Sequence, residues 1–170
     1  MLAGFAPAAH PGFGLASQNI FRKVGRTVTV KQISVFVENK AGKLAEITKV
    51  LYDHNIDLRA LSIAETRDFG VLRLIVDDSY KTACILKEAG YVLSITPVLA
   101  VSIPDEPGSL FRILQILSDN DISLEYTYAF TASREGFAYM VFRVENHERA
   151  IEVLSEKGIK LLCQDQFATL

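Results

Sequence analysis

The chain switches between two hydrophobic periods, and does so twice. Apolar Ile33, Val35 and Val37 take turns with Ser34, Phe36 and Glu38, the period of two expected of a strand with one buried face. Beyond Gly42, residues Leu44, Ile47 and Leu51 recur at three- and four-residue spacing, one apolar stripe along a helix. "HNID", His54 to Asp57, ends that helix with residues that tolerate turns. A second strand is expected over Leu58–Glu65, and "TRDFG" reads as a hairpin into a third over Val71–Val76. A second helix near Tyr80–Ala89 stops at Gly90, and a last strand lies near Tyr91–Ile95.

The same order then returns. Gly108 stands 66 residues after Gly42, and that offset also pairs Leu44 with Leu110, Ile47 with Ile113 and Leu51 with Leu117. It pairs Ile56 with Ile122, Leu58 with Leu124 and Gly70 with Gly136 as well. Gly158 follows Gly90 by 68, so the second copy carries two extra residues. Its elements are strands over Leu124–Phe130, Phe137–Val144 and Ile159–Leu162, the hairpin "TASREG", and a helix near His147–Lys157. Two copies are too few for a solenoid. The order β-α-β-β-α-β with right-handed crossovers predicts an α+β protein of two tandem ferredoxin-like domains. Each is a four-stranded antiparallel sheet with two helices on one face, and the two pack side by side. The first covers 29–97 and the second 98–170; the linker "TPVLAVSIP" has no flexible run, so close packing is expected.

Residues 1–28 differ from the rest. Pro7, Pro11, Gly4, Gly12 and Gly14 break the apolar part, and Arg22, Lys23 and Arg26 follow it, the reverse of a secretory signal. The segment reads as a disordered tail, or as a leader added by a misplaced start. Composition narrows the remaining classes. With 170 residues, 49% of them hydrophobic, there is material for two small cores. A net charge of −2 gives no support to a nucleic acid or an anionic membrane as partner. No apolar run approaches the roughly 20 residues of a membrane span.

Cys84 and Cys163 lie far apart and match no metal or redox spacing, which suits a reduced, cytoplasmic protein; Cys84 is expected in the core. His10, His54 and His147 share no ligand or triad spacing with Cys, Asp or Glu, so neither metal, cofactor nor catalysis is expected. His54 at a helix C-terminus is accounted for by the helix dipole. "AGKL" lacks the earlier glycine of a phosphate loop, where Val37 stands, and Leu44 occupies its Ser/Thr position.

Two families share the predicted topology. "EGFAYMVF", Glu135 to Phe142, and "VFVEN", Val35 to Asn39, resemble the third- and first-strand signatures of the RNA-recognition motif. Base stacking needs those aromatics on adjacent strands of one sheet, and here they fall in different domains. Glu135 also stands where a basic residue is wanted. Phe137, Tyr139 and Phe142 are therefore expected as packing residues.

Asn39-Lys40-Ala41-Gly42-Lys43-Leu44 and Asp105-Glu106-Pro107-Gly108-Ser109-Leu110 resemble the D/N-x-x-G-x-L helix entrance of the ACT domain, a sensing module of amino-acid metabolism. Asn55-Ile56 and Asp121-Ile122 stand where that family begins its second strand. The resemblance implies a stand-alone tandem ACT protein: non-catalytic, regulatory, and binding a free amino acid. It also implies either a homodimer or docking to a metabolic enzyme. A structural accessory subunit of an amino-acid or aryl-acid enzyme is the alternative.

ACT modules pair through their second strands, with ligand held where one helix-entrance loop meets its neighbour. That places Asn39, Ala41 and Gly42 opposite Asp121 and Ile122, and Asp105, Pro107 and Gly108 opposite Asn55 and Ile56. Leu44 and Leu110 border the turns as core residues, and Tyr126 and Tyr128 bound a pocket or pack between domains. Chemically, a helix entrance offers unpaired amides and partial positive charge to a carboxylate. Asn39 can serve an ammonium and a carboxylate together. Asp105 and Glu106 repel a carboxylate and Pro107 lacks an amide donor, so Asn39 is expected to make the better site.

Overall fold

The computed structural model describes residues 28–65, 68–131 and 135–167. The tail or leader expected over 1–27, and the tips of both expected hairpins, lie outside the described residues. The order of elements is β1 (Val30–Glu38), α1 (Lys43–Asp53), β2 (Leu58–Glu65), β3 (Phe69–Val76), α2 (Ser79–Glu88) and β4 (Leu93–Pro104). It continues α3 (Ser109–Asp119), β5 (Leu124–Ala129), β6 (Phe137–Val144), α4 (His147–Glu156), β7 (Lys160–Leu162) and a short α5 (Gln164–Phe167). This is the ferredoxin-like pattern twice, with antiparallel pairing throughout.

Each half buries its helix stripe on one sheet face. Ile47 and Leu51 of α1 pack on Ile33, Val35, Leu72 and Leu74, joined by Ala83 and Leu86 of α2. In the second half Ile113 and Leu117 of α3 pack on Leu99, Val101 and Phe142, joined by Ala150, Val153 and Leu154 of α4. The first helix of each half ends in the same way. Asn55 and Asp121 take left-handed φ of 52° and 53°, and the amides of Ile56 and Ile122 reach back to the Leu51 and Leu117 carbonyls at 3.0 Å. Those bonds close the helix ends and bring the next isoleucine onto the core.

The halves join differently from the expected second-strand pairing. The stretch read as a linker is the middle of one 12-residue strand, β4. Its residues Leu93–Val98 pair with β1, and its residues Leu99–Pro104 pair with β6. The sheet therefore runs β2-β3-β1-β4-β6-β5, with β7 also pairing β4. Alternation continues through the handover: odd positions of β4 face helices in both halves, and even positions face away. The even face is apolar at Val98 and Ala100, which have no exposure. With Val30, Ala60, Ile75, Tyr139, Val141 and Leu162 they form a third cluster between the helix-free faces of the two halves. The second strands do approach. Thr131, just past β5, donates its N–H at 3.1 Å and its hydroxyl at 2.7 Å to the Arg59 carbonyl of β2.

Candidate functional site

Both helix-entrance glycines are left-handed, with φ of 88° at Gly42 and 90° at Gly108, and nothing lies within 4 Å of where a Cβ would sit. Backbone conformation, rather than crowding, demands glycine here. Neither α1 nor α3 has a side-chain cap. The second helices do. Asp78 Oδ1 accepts from the Tyr80 and Lys81 amides at 3.1 and 3.0 Å, and Asn146 Oδ1 accepts from the Arg149 amide at 3.0 Å. The fold thus caps two helices with side chains and leaves the positive ends of the other two open beside glycine.

At the first turn Asn39 and Ala41 are exposed, and the Asn39 amide donates to the Asp68 carbonyl at 3.0 Å. Asn39 lines a small cleft of about 80 Å³ with Lys40, Lys43, Leu44, Ile63 and Gly70. Leu44 is 39% exposed and lies on this cleft, not in the core where it was expected. Leu110 does pack against its core. At the second turn Asp105 and Pro107 are exposed, and the Asp105 amide donates to the Gly136 carbonyl at 3.1 Å.

Among the described residues neither turn lies against the other half's second strand. β1 runs from Val30, opposite Val98, to Val35, opposite Leu93, and so carries Asn39 away from the second half. β4 carries Asp105 away from the first half in the opposite direction. The cleft at Asn39 is lined by the first half alone. Asn55, Ile56, Asp121 and Ile122 instead do the helix-ending work described above.

Tyr126 and Tyr128 sit between the halves, in a polar network with no counterpart in the sequence reading. Gln32, which has no exposure, donates its side-chain amide to Ser34 Oγ at 2.9 Å and to the Tyr126 hydroxyl at 2.8 Å. The Tyr128 hydroxyl donates to Gln32 Oε1 at 2.8 Å. The Arg73 guanidinium lies 3.8 Å from the centre of the Tyr126 ring. One signal could have pointed here: Arg73 interrupts an otherwise apolar strand, and buried polar groups must find partners.

Burial raises the Tyr128 hydroxyl well above its ordinary value of 10, the Tyr126 hydroxyl adds to this, and Arg73 opposes it. The folded state then keeps a proton that the unfolded chain loses from about pH 10 upward. Stability should be unaffected below that pH and fall above it, by up to about 1.4 kcal/mol per unit from this group. Urea unfolding at pH 8, 9 and 10.5 should show this fall, and Tyr128→Phe should flatten it.

The remaining candidates are quiet. His54 Nδ1 meets the Val50 carbonyl at 2.9 Å, as a helix-end residue would. His147 Nε2 lies 2.9 Å from the Pro97 carbonyl, beside Arg143. Cys84 is exposed on α2 and not in the core, because the stripe of that helix runs through Thr82, Ala83 and Leu86. Among the described residues no group of His, Cys, Asp and Glu could hold a metal, and no helix is long and apolar enough to cross a membrane.

A family model described as an ACT domain pair matches residues 28–170. No curated protein matches the chain. Among solved structures, a protein of Bacteroides thetaiotaomicron is 41% identical, with a TM-score of 0.79, covering 84% of this chain and 98% of its own. The ligand-free regulatory subunit of aspartate kinase from Thermus thermophilus is 15% identical, with a TM-score of 0.57, covering 76% and 93%. That subunit from Thermus flavus is also 15% identical, with a TM-score of 0.55, covering 74% and 88%. The last two are likenesses of fold.

Proposed function

The chain belongs to the ACT domain family, and on that premise we propose that it is a non-catalytic regulatory protein that binds a free amino acid at a helix-entrance turn. The observation that carries this reading is the capping contrast. Both first helices open on a left-handed glycine without a side-chain cap, and both second helices are capped. An uncapped helix start beside glycine suits a carboxylate. Asn39, on the cleft at the first turn, adds an amide able to accept from an ammonium. Since β4 holds the two turns at opposite ends of the molecule, the facing wall comes from a second copy or from an enzyme that docks.

Calorimetry of the full chain against each of the twenty amino acids tests this. One of them should bind, and Asn39→Ala should weaken it by roughly tenfold, or about 1.4 kcal/mol. No heat at millimolar ligand would sink the sensor reading and leave a docking subunit. That second reading has its own support in Phe36, Phe69 and Val92, which stay 54%, 58% and 69% exposed. These three occupy the part of the helix-free face that the second half leaves uncovered. The aspartate kinase regulatory subunits that share the fold make docking to an amino-acid enzyme a natural form for it.

A further inference from the structure

The exposed Phe36, Phe69 and Val92 are not the fringe of the cluster between the halves, because a polar row divides the two. Across the strands of the first half, the helix-free face is ordered in rows. Ala60 and Ile75 pair in a row that has no exposure. The next row outward is Ser62, Arg73, Ser34 and Ser94. Beyond it lie Val71, Phe36 and Val92, the last two 54% and 69% exposed. Phe69, 58% exposed, and Glu38 end the face. The second half holds the opposite order. Ala100, Val141 and Leu162 form a buried apolar row where the first half has Ser34, Arg73 and Ser94. Ser102 and Lys160 then stand where Phe36 and Val92 do. The sheet accepts polar residues at those places, so an apolar row set apart from the core marks a contact surface.

Arg73 indicates what the occupant must supply. Its guanidinium rests on the Tyr126 ring, and its Nε is buried without a hydrogen-bond partner. Among the described residues no carboxylate pairs with it. An arginine held in this way is matched best by a carboxylate. The face carries one of its own in Glu38, whose Oε2 bonds Lys40 at 3.2 Å and whose other oxygen is left over. Glu38 stands four residues along β1 from Ser34, the neighbour of Arg73, a span of about 14 Å. Within one copy the two charges cannot meet. One end of the face is thus basic and the other acidic, with the apolar row between them.

We propose that this face is the contact between two copies of the chain, closed by a two-fold axis along the Phe36 row. A half-turn about that axis lays the Phe36 row of one copy on the same row of the other. It also lays the Arg73 row on the row of Phe69 and Glu38. Arg73 of each copy then meets the partner's Glu38, so the ion pair forms twice, as a self-complementary interface requires. The contact differs from the second-strand pairing that the family resemblance implied. Its footprint is three rows by four strands, roughly 400 Å² on each copy at ordinary strand spacings. Standard complexes bury about 800 Å² per partner, so this dimer is weak and reversible, with a Kd on the order of 10 μM. The assignment is independent of where an amino acid binds, and it takes the patch away from a docking enzyme.

Sedimentation velocity of the full chain between about 1 and 200 μM tests this, and the parent should pass from monomer to dimer across that range. The double variant Phe36→Ser, Val92→Lys carries the residues that the second half has at those places. It should stay monomeric throughout, with a melting temperature at 1 μM within a few degrees of the parent, which shows that it folds. Glu38→Arg and Arg73→Glu should each weaken the dimer roughly tenfold or more, since like charges then face each other. An equimolar mixture of those two variants should associate about as tightly as the parent, because both ion pairs return with their signs exchanged. A parent that stays monomeric at 200 μM would overturn the proposal and leave the patch to an enzyme. A dimer unmoved by the double variant and by Glu38→Arg would overturn it by placing the contact on another face. A mixture no tighter than its components would overturn the two-fold pairing of Arg73 with Glu38.

Discussion

Val98→Asp is expected to abolish cooperative folding at pH 7, at a cost of about 4 kcal/mol or more. Val98 has no exposure and is the last β4 residue paired with β1, opposite Val30. Its side chain belongs to the cluster between the two halves and to neither helix-covered core. An aspartate there puts a carboxylate where its neighbours are Ala60, Ile75, Ala100 and Val141. Total stability of a chain this size is on the order of 5–15 kcal/mol, so one buried charge removes a large part of it. Val98→Ala creates a cavity without a charge and should cost only about 2 kcal/mol. The two variants can be separated by pH. Burial favours the neutral carboxyl, so Val98→Asp should regain part of its stability on going from pH 7 to pH 4, while Val98→Ala should not. A thermal melt of Val98→Asp within a few degrees of the parent would show that the helix-free faces are not packed on each other.

That cluster also marks where the sequence could be read and where it could not. Strand and helix periods depend on local burial, and Ile33, Val35, Ile47 and Leu51 fall on the core face their spacing assigns. Gly42, Gly90, Gly108 and Gly158 all take positive φ, as turn and helix-end glycines do, and the repeat places each of them. The joining of the halves is another matter. "TPVLAVSIP" is apolar on both faces from Val98 to Val101, which fits a buried linker and a doubly covered strand equally well. Local pattern cannot say that one edge passes from β1 to another partner partway along the strand.

The candidate site was legible to the same depth. The glycine turns and the helix ends at Asn55 and Asp121 follow from residue type. Leu44 and Leu110 read alike, and only the packing of each half sets one on a cleft and the other on a core. The preference for the first turn weighed backbone donors and the charges of the loop itself. It had no access to packing between elements distant in sequence, such as β7 beside β4. Gln32 and the two tyrosines likewise lie more than 90 residues apart in sequence, beyond any spacing rule.

Phe142→Ala is expected to cost about 3–5 kcal/mol, the second large effect, while Phe137→Ala five residues earlier should cost less than about 1 kcal/mol. Both belong to the stretch that resembles a base-stacking strand, and alternation on β6 assigns them different roles. Phe142 points to the helices, has no exposure and packs among Leu99, Leu117 and Leu154. Phe137 faces away from the helices and is 44% exposed. Between them Tyr139, on the same face as Phe137, is 6% exposed and meets Phe130 edge-on at 6.3 Å. The helix-free surface on which an RNA-recognition motif stacks bases is therefore taken up, at Tyr139, by packing against the other half. Urea unfolding of the two alanine variants measures the difference directly. A larger loss in Phe137→Ala than in Phe142→Ala would mean that β6 is one residue out of register, which would turn Phe142 outward and undo the assignment of the second half's helix-facing core.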